Sequence, residues 1–242
     1  MKTRLDQEMV TRGIIPTRSQ AESFIKLGSV QVNGREVTKP GTMVSTDDKI
    51  KLLAKEQYVS RAGLKLASIA QSLKLNFKDT VVLDVGSSTG GFTDYALRNG
   101  ARKVIAVDVG TNQMHPLLRT DPRIELYEQT DIRDVKGLSE AVDIIVIDVS
   151  FISLREILPY VAKLSTSRTQ IVAMVKPQFE AGNSNLKHKG VIKNDRMRRD
   201  ILKDFEFWAQ KLFMVIDKAD SDVAGAKGNQ ERFYLLKKLK SN

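Results

Sequence analysis

The sequence predicts an α/β protein built on a doubly wound, mainly parallel sheet of seven strands, preceded by a small α+β unit. Three observations carry that expectation. Apolar runs recur at 81–85, 104–109, 124–127, 142–149 and 171–175, and helical patterns at 92–99, 154–164 and 196–212 alternate with most of them. Strands that run the same way need such crossover helices. The first run opens into Gly86-Ser-Ser-Thr-Gly-Gly91, a turn whose glycines let backbone approach a ligand closely. A stretch of different texture, with its own helix and turn signals, stands ahead of all of this.

That stretch covers residues 1–55. Thr17 to Gln20 has the form of a capping box, and Ala21, Phe24 and Ile25 follow at helical spacing before Gly28. Val30 and Val32 alternate into the hairpin signal Asn33-Gly34, and Val37 resumes the next strand. A turn at Lys39-Pro-Gly41 and a strand near Ile50 close the unit. Residues 56–60 read as a polar linker to a second domain, 61–242. There, Leu66, Ile69, Ala70 and Leu73 mark an amphipathic helix, followed by the strands and helices named above. Two last runs, 213–216 and 233–239, have no helix between them and suit a closing antiparallel hairpin.

Composition excludes several chemistries. The chain has 242 residues, no cysteine and two histidines, so disulfides, thiolate zinc sites, a cysteine nucleophile and a histidine metal centre are not expected. Catalysis must rest on carboxylates, lysines, hydroxyls and backbone. No apolar run approaches the length of a membrane span, and the amino terminus lacks a signal core, so a cytosolic protein is expected. The net charge of +10 favours a polyanionic partner. Residues 1–55 hold ten Lys/Arg against six Asp/Glu, so both parts could face nucleic acid.

Four acids, Asp84, Asp108, Asp131 and Asp148, fall at or just past strand ends, where ligands bind in open sheets. Any one of them could simply cap a helix; together they describe a cofactor site. Asp108 follows Asp84 at the spacing of an acid that takes ribose hydroxyls. Asp131 would then reach an adenine amino group, with Ile132 against the ring. The glycine spacing departs from the dinucleotide fingerprint, and acids beside the turn suit a cationic ligand better than a pyrophosphate.

The pattern Asp84-x-Gly86-x-x-x-Gly90-Gly91 resembles the cofactor turn of methyltransferases that use S-adenosylmethionine, which implies that Ser88 and Phe92 complete the cradle. Arg4-Leu5-Asp6, Thr17-Arg-Ser-x-Ala21 and Gly28-x-Val30-x-Val32-Asn-Gly34 resemble the RNA-binding module named after ribosomal protein S-four. That resemblance assigns RNA contact to Arg4, Arg12, Arg18 and Lys26, while Asp6 reads as structural. With Ser60-Arg-Ala-Gly-Leu-Lys65, Asp148-Val-Ser-Phe151, Val175-Lys-Pro-Gln-Phe-Glu180 and Gly228-Asn-Gln-Glu231, the likeness extends nearly end to end. It is to the TlyA, or hemolysin A, family of ribosomal RNA 2′-O-methyltransferases, whose catalytic domain is FtsJ-like and of the class I, Rossmann-like fold. The family's Lys-Asp-Lys-Glu tetrad falls on Lys65, Asp148, Lys176 and Glu231.

This resemblance implies S-adenosylmethionine as cofactor and ribosomal RNA or subunits as partner; composition argues for no metal, and the oligomeric state is open, with a monomer favoured. A ribose hydroxyl needs its proton removed as it attacks. Without a usable histidine, Lys176 is the expected base, Asp148 its orienting acid, and Lys65 and Glu231 hold the ribose and the hydrogen-bond network. A basic loop after Glu180, with Lys187 and Lys189, could clamp RNA or be a solvated loop. In the family, dual-subunit members carry a longer tail; this chain ends at Asn242, which points to a cytidine of the large subunit. A non-enzymatic assembly factor and a membrane-active hemolysin are the competing readings.

Overall fold

The computed structural model describes residues 2–26, 29–53, 58–181, 190–192, 194–225 and 228–239, the side chains at 19, 23 and 26 excepted. The chain divides into two compact units, 1–61 and 62–242.

In the first unit β1 (Lys2–Arg4) leads into α1 (Leu5–Thr11), and α2 (Arg18–Lys26) follows. Leu5, Met9, Ile15, Ala21, Phe24 and Ile25 are buried, so the helices share one small core. Thr17 Oγ1 accepts the Gln20 amide at 3.3 Å, which is half of a capping box. The other half differs, because the Gln20 side chain donates instead to the carbonyls of Tyr58 and Val59. Strands β2 (Val30–Val32) and β3 (Arg35–Glu36) form the expected hairpin. Asn33 and Gly34 turn it with positive φ of 51° and 79°, the backbone a tight hairpin requires. β4 (Met43–Ser45) pairs with β1, and β5 (Ile50–Leu52) with β2.

The second unit carries α3 (Arg61–Ala70) and then β6 (Val81–Val85), every residue of which is buried. α4 (Gly91–Arg98), β7 (Lys103–Val107), the short α5 (Pro116–Arg119) and β8 (Ile124–Tyr127) come next. After a 3₁₀ turn at Ile132–Asp134, β9 (Ile144–Ile147), α6 (Leu154–Leu164) and β10 (Gln170–Val175) complete the parallel part. α7 (Pro177–Glu180), α8 (Asp195–Ala209), β11 (Phe213–Asp220) and β12 (Arg232–Lys238) close the unit.

The seven strands run in the order β11-β12-β10-β9-β6-β7-β8, with β12 antiparallel to both neighbours. β-Branched residues buried on both faces explain the parallel centre. Ile157, Leu158 and Val161 of α6 and Phe205 of α8 cover one face, joining Val81, Leu83, Val85, Ile145 and Ile147. The chain leaves β6 toward β7 and β8, then returns to lay β9 on the other side of β6. This reversal opens a crevice at the carboxyl ends of those strands, where such sheets bind ligands.

Candidate active site

A cleft of about 500 Å³ occupies that crevice. Its walls include Gly86 and Ser88, Asp108, Thr130 to Arg133, and Asp148 to Ile152. Gly86 has φ +80°, and a Cβ there would stand 2.8 Å from the Asp148 carbonyl oxygen, so only glycine lets β6 and β9 meet so closely. The amides that a pyrophosphate would require are already engaged. Ser88 N and Gly110 N donate to Asp108 at 2.8 and 2.7 Å, while Gly86 N and Ser87 N donate to the Val107 carbonyl.

Behind the turn lies Asp84, 1 % exposed. Its Oδ2 accepts the Thr93 hydroxyl at 2.6 Å, and its Oδ1 is buried with no partner among the described residues. Burial pushes this carboxyl up to about 7 against the Thr93 hydrogen bond, and the nearby Asp148 and Asp108 charges add to the rise. An orphaned carboxylate oxygen beside an acid-lined cleft fits a ligand that brings positive charge and hydrogen-bond donors. The residues present therefore suit an ammonium- and sulfonium-bearing cofactor.

Other expected cradle residues have different surroundings. Gly90 (φ +89°) packs toward Met114 and Leu118, and a Cβ would approach both within 2.5 Å. Gly91 and Phe92 begin α4 inside the unit, with the Phe92 ring 6.0 Å from that of Phe233. These three shape the turn without lining the cleft. Asp131 caps the 3₁₀ turn through the Arg133 amide and is gripped by the Arg133 guanidinium, which holds its carboxyl below the usual range. Ile132 is buried beside it.

The four expected tetrad residues form two ion pairs, one of which includes the cleft-wall residue Asp148. Lys176 Nζ lies 2.6 Å from Asp148 Oδ1 and donates to Ser150 Oγ at 2.7 Å. Lys65 Nζ, from α3, lies 2.5 Å from Glu231 Oε2. In both pairs the acid oxygen facing the lysine is buried. Sheet register brings the pairs together: Val175 faces Arg232 across β10 and β12, so the next residues, Lys176 and Glu231, stand opposite. Each lysine is 8 % exposed; two largely buried ammonium groups at one strand end are costly unless paired.

Ser150 and Phe151, of the Asp148-Val-Ser-Phe151 motif, also belong to the cleft, together with Gln113 and Arg133, which the sequence did not single out. Phe151 is 91 % exposed with φ +67°, a strained conformation for an aromatic residue. Its ring contacts Phe179, centroids 5.4 Å apart.

Among the expected RNA-facing cations, Arg4 and Arg18 both donate to the buried Asp6 and remain half-exposed. Burial alone would raise Asp6; the two guanidiniums outweigh it and hold the carboxyl at about 2. Arg12 is committed inward, donating to Glu8 and to the carbonyls of Ser45, Thr46 and Asp48. The Lys26 side chain, Lys187, Lys189 and residues 182–189 generally lie outside the described residues. Arg198, just after the basic loop, donates to Asp220 and to the Gln230 carbonyl. No group of three or more metal-ligating side chains occurs among the described residues, and none of their helices is long and apolar enough to cross a membrane.

An antiparallel β12 inserted beside edge strand β11, with an acid-lined cleft at the switch point, defines a class I methyltransferase fold. Residues 58–238 match the model of the FtsJ-like methyltransferases and residues 3–50 that of the S4 domain. The chain belongs to the FtsJ-like methyltransferase family. It is 37 % identical to hemolysin A of Brachyspira hyodysenteriae over 94 % of this chain and 97 % of that one. To the 23S rRNA (cytidine-2′-O)-methyltransferase TlyA of Campylobacter jejuni it is 43 % identical, over 81 % of this chain and 77 % of the other. The 16S/23S rRNA (cytidine-2′-O)-methyltransferase TlyA of Mycobacterium tuberculosis shares 34 % over 98 % of this chain and 90 % of its own.

Proposed function

We propose that this protein transfers a methyl group from S-adenosylmethionine to a ribose 2′-hydroxyl of ribosomal RNA, working on ribosomal particles in the cytosol. The observation that carries the reading is the pair of ion bridges, Lys176–Asp148 and Lys65–Glu231, on facing ends of β10 and β12, beside a cleft whose buried Asp84 keeps one oxygen without a partner among the described residues. When bound, the cofactor supplies an already activated methyl group.

The protein's own residues do the rest. Asp84 and Asp108 would hold the cationic and ribose parts of the donor, and Asp131 and Ile132 its adenine. Once its ammonium has released a proton to solvent, the Lys176 amine takes the proton of the attacking hydroxyl, with Nζ aimed by Asp148 and Ser150. The Lys65–Glu231 pair positions the ribose across the same strand end. Fixing hydroxyl and methyl in line supplies much of the acceleration. Phe151, exposed at the cleft mouth, offers a stacking surface for an unpaired base. Arg4 and Arg18 contribute phosphate contacts from the first unit. A cytidine of the large subunit is the favoured acceptor, in keeping with the identity to the Campylobacter jejuni relative.

Lys176→Ala should abolish transfer while calorimetric affinity for S-adenosylmethionine stays within about threefold. Retained turnover in that variant removes Lys176 as base.

A further inference from the structure

Two segments meet at the acceptor end of the cleft. One runs from Asp148 to Arg155 after β9; the other runs from Lys176 to Glu180 and includes α7. They are joined at three successive levels. Lys176 holds Asp148 and Ser150. The Phe179 ring meets that of Phe151 at a tilt of 51°. Glu180, whose side chain is 1 % exposed, accepts the Ser153 hydroxyl at 2.6 Å and the Leu154 amide at 2.7 Å, with Arg155 Nε at 3.6 Å.

The third level is unusual. Ser153 already caps α6 through the Arg155 amide, so Glu180, from α7, is a second cap at the same helix terminus. Burial pushes the Glu180 carboxyl up, and the Ser153 hydroxyl, the Leu154 amide and Arg155 draw it back only in part. Nothing in the methyl-transfer reading uses it. Its effect is mechanical: it fixes α7, and with it the strand end bearing Lys176, to the start of α6 and thus to the loop bearing Asp148 and Ser150.

We propose that Glu180 is a positioning residue for the transfer, setting the Lys176 amine against Asp148 and Ser150 by locking α7 onto the α6 amino terminus. The inference rests on the functional reading above for its kinetic consequence, but not for its geometric one. Loss of the lock lets Lys176 wander, and misplacement of a catalytic group by about 1 Å costs on the order of a hundredfold in rate.

The test uses the full chain labelled at lysine ε positions, with the Lys176 resonance assigned through Lys176→Arg. Glu180→Gln removes the charge at nearly constant size, and Ser153→Ala breaks the same link from the other side. Both should move the Lys176 resonance and leave that of Lys65 in place. In the transfer assay both should lower kcat about tenfold or more, with unchanged affinity for S-adenosylmethionine. An unmoved Lys176 resonance in both variants overturns the proposal, as does a shift shared equally by Lys65, which signals general loosening. Should the wild-type protein transfer no methyl group, the functional reading fails, while the Lys176 resonance still decides this one.

Discussion

At Asp84 burial and like charge act in the same direction, and the sign of the consequence follows. Near pH 4 the unfolded carboxyl begins to ionise while the folded one, near 7, stays neutral. The folded state therefore loses stability between about pH 4 and 7, and the loss is complete above that. Asp84→Asn should raise the melting temperature at pH 8 and leave it nearly unchanged at pH 4; an equal rise at both would contradict the assignment. For the same reason a cationic ligand should bind more tightly as pH rises through about 7, and that dependence should flatten in the variant. Asp6 has the opposite sign. Its carboxyl, held at about 2 by Arg4 and Arg18, stabilises the first unit fully above about pH 4 and progressively less as pH falls toward 2. A pH series of melts should show that loss, on the order of 2 kcal/mol, and Asp6→Asn should abolish it. Asp84, Asp108 and Asp148 could be named because an acid at a strand end is a strong signal, whereas Lys65, inside α3, and Lys176 and Glu231 were assigned through the motif resemblance. The role of Arg12 was not: its partners are the carbonyls of residues 45, 46 and 48, which only the folded chain brings near.

At the scale of elements, the Lys65–Glu231 pair fastens α3 to the start of β12. Removing one member leaves the other buried and uncompensated, which costs about 3–5 kcal/mol. Lys65→Met should therefore lower the denaturation midpoint strongly, and adding Glu231→Leu should restore most of it without restoring transfer. Recovery of activity in the double variant would show that the pair serves stability alone. The long parallel strands were readable because runs such as 81–85 are apolar throughout. β1, β4, α1 and α7 were not, being three to seven residues long with few apolar positions. β11 extends to Asp220, past the expected 216, because a bulge between Val215 and Asp217 resets its alternation against β12. The Ser150 and Glu180 contacts escaped the sequence because they join positions 26 and 27 residues apart, with no periodicity to announce them.

The chain joins a basic first unit to a basic methyltransferase unit, and with a net charge of +10 the proposed association with RNA should be salt-dependent. Deleting residues 1–55 should weaken binding to ribosomal particles and reduce the slope of log affinity against log salt; unchanged binding would remove that segment from RNA recognition. The central claim is that the cleft, the tetrad and the first unit together methylate a ribose. Its most direct test is incubation of the purified protein with labelled S-adenosylmethionine and unmodified 30S, 50S and 70S particles, followed by nuclease digestion and mass spectrometry. Label on a cytidine 2′-oxygen of large-subunit RNA is the predicted result. Label on a base, or none on any particle, would contradict it.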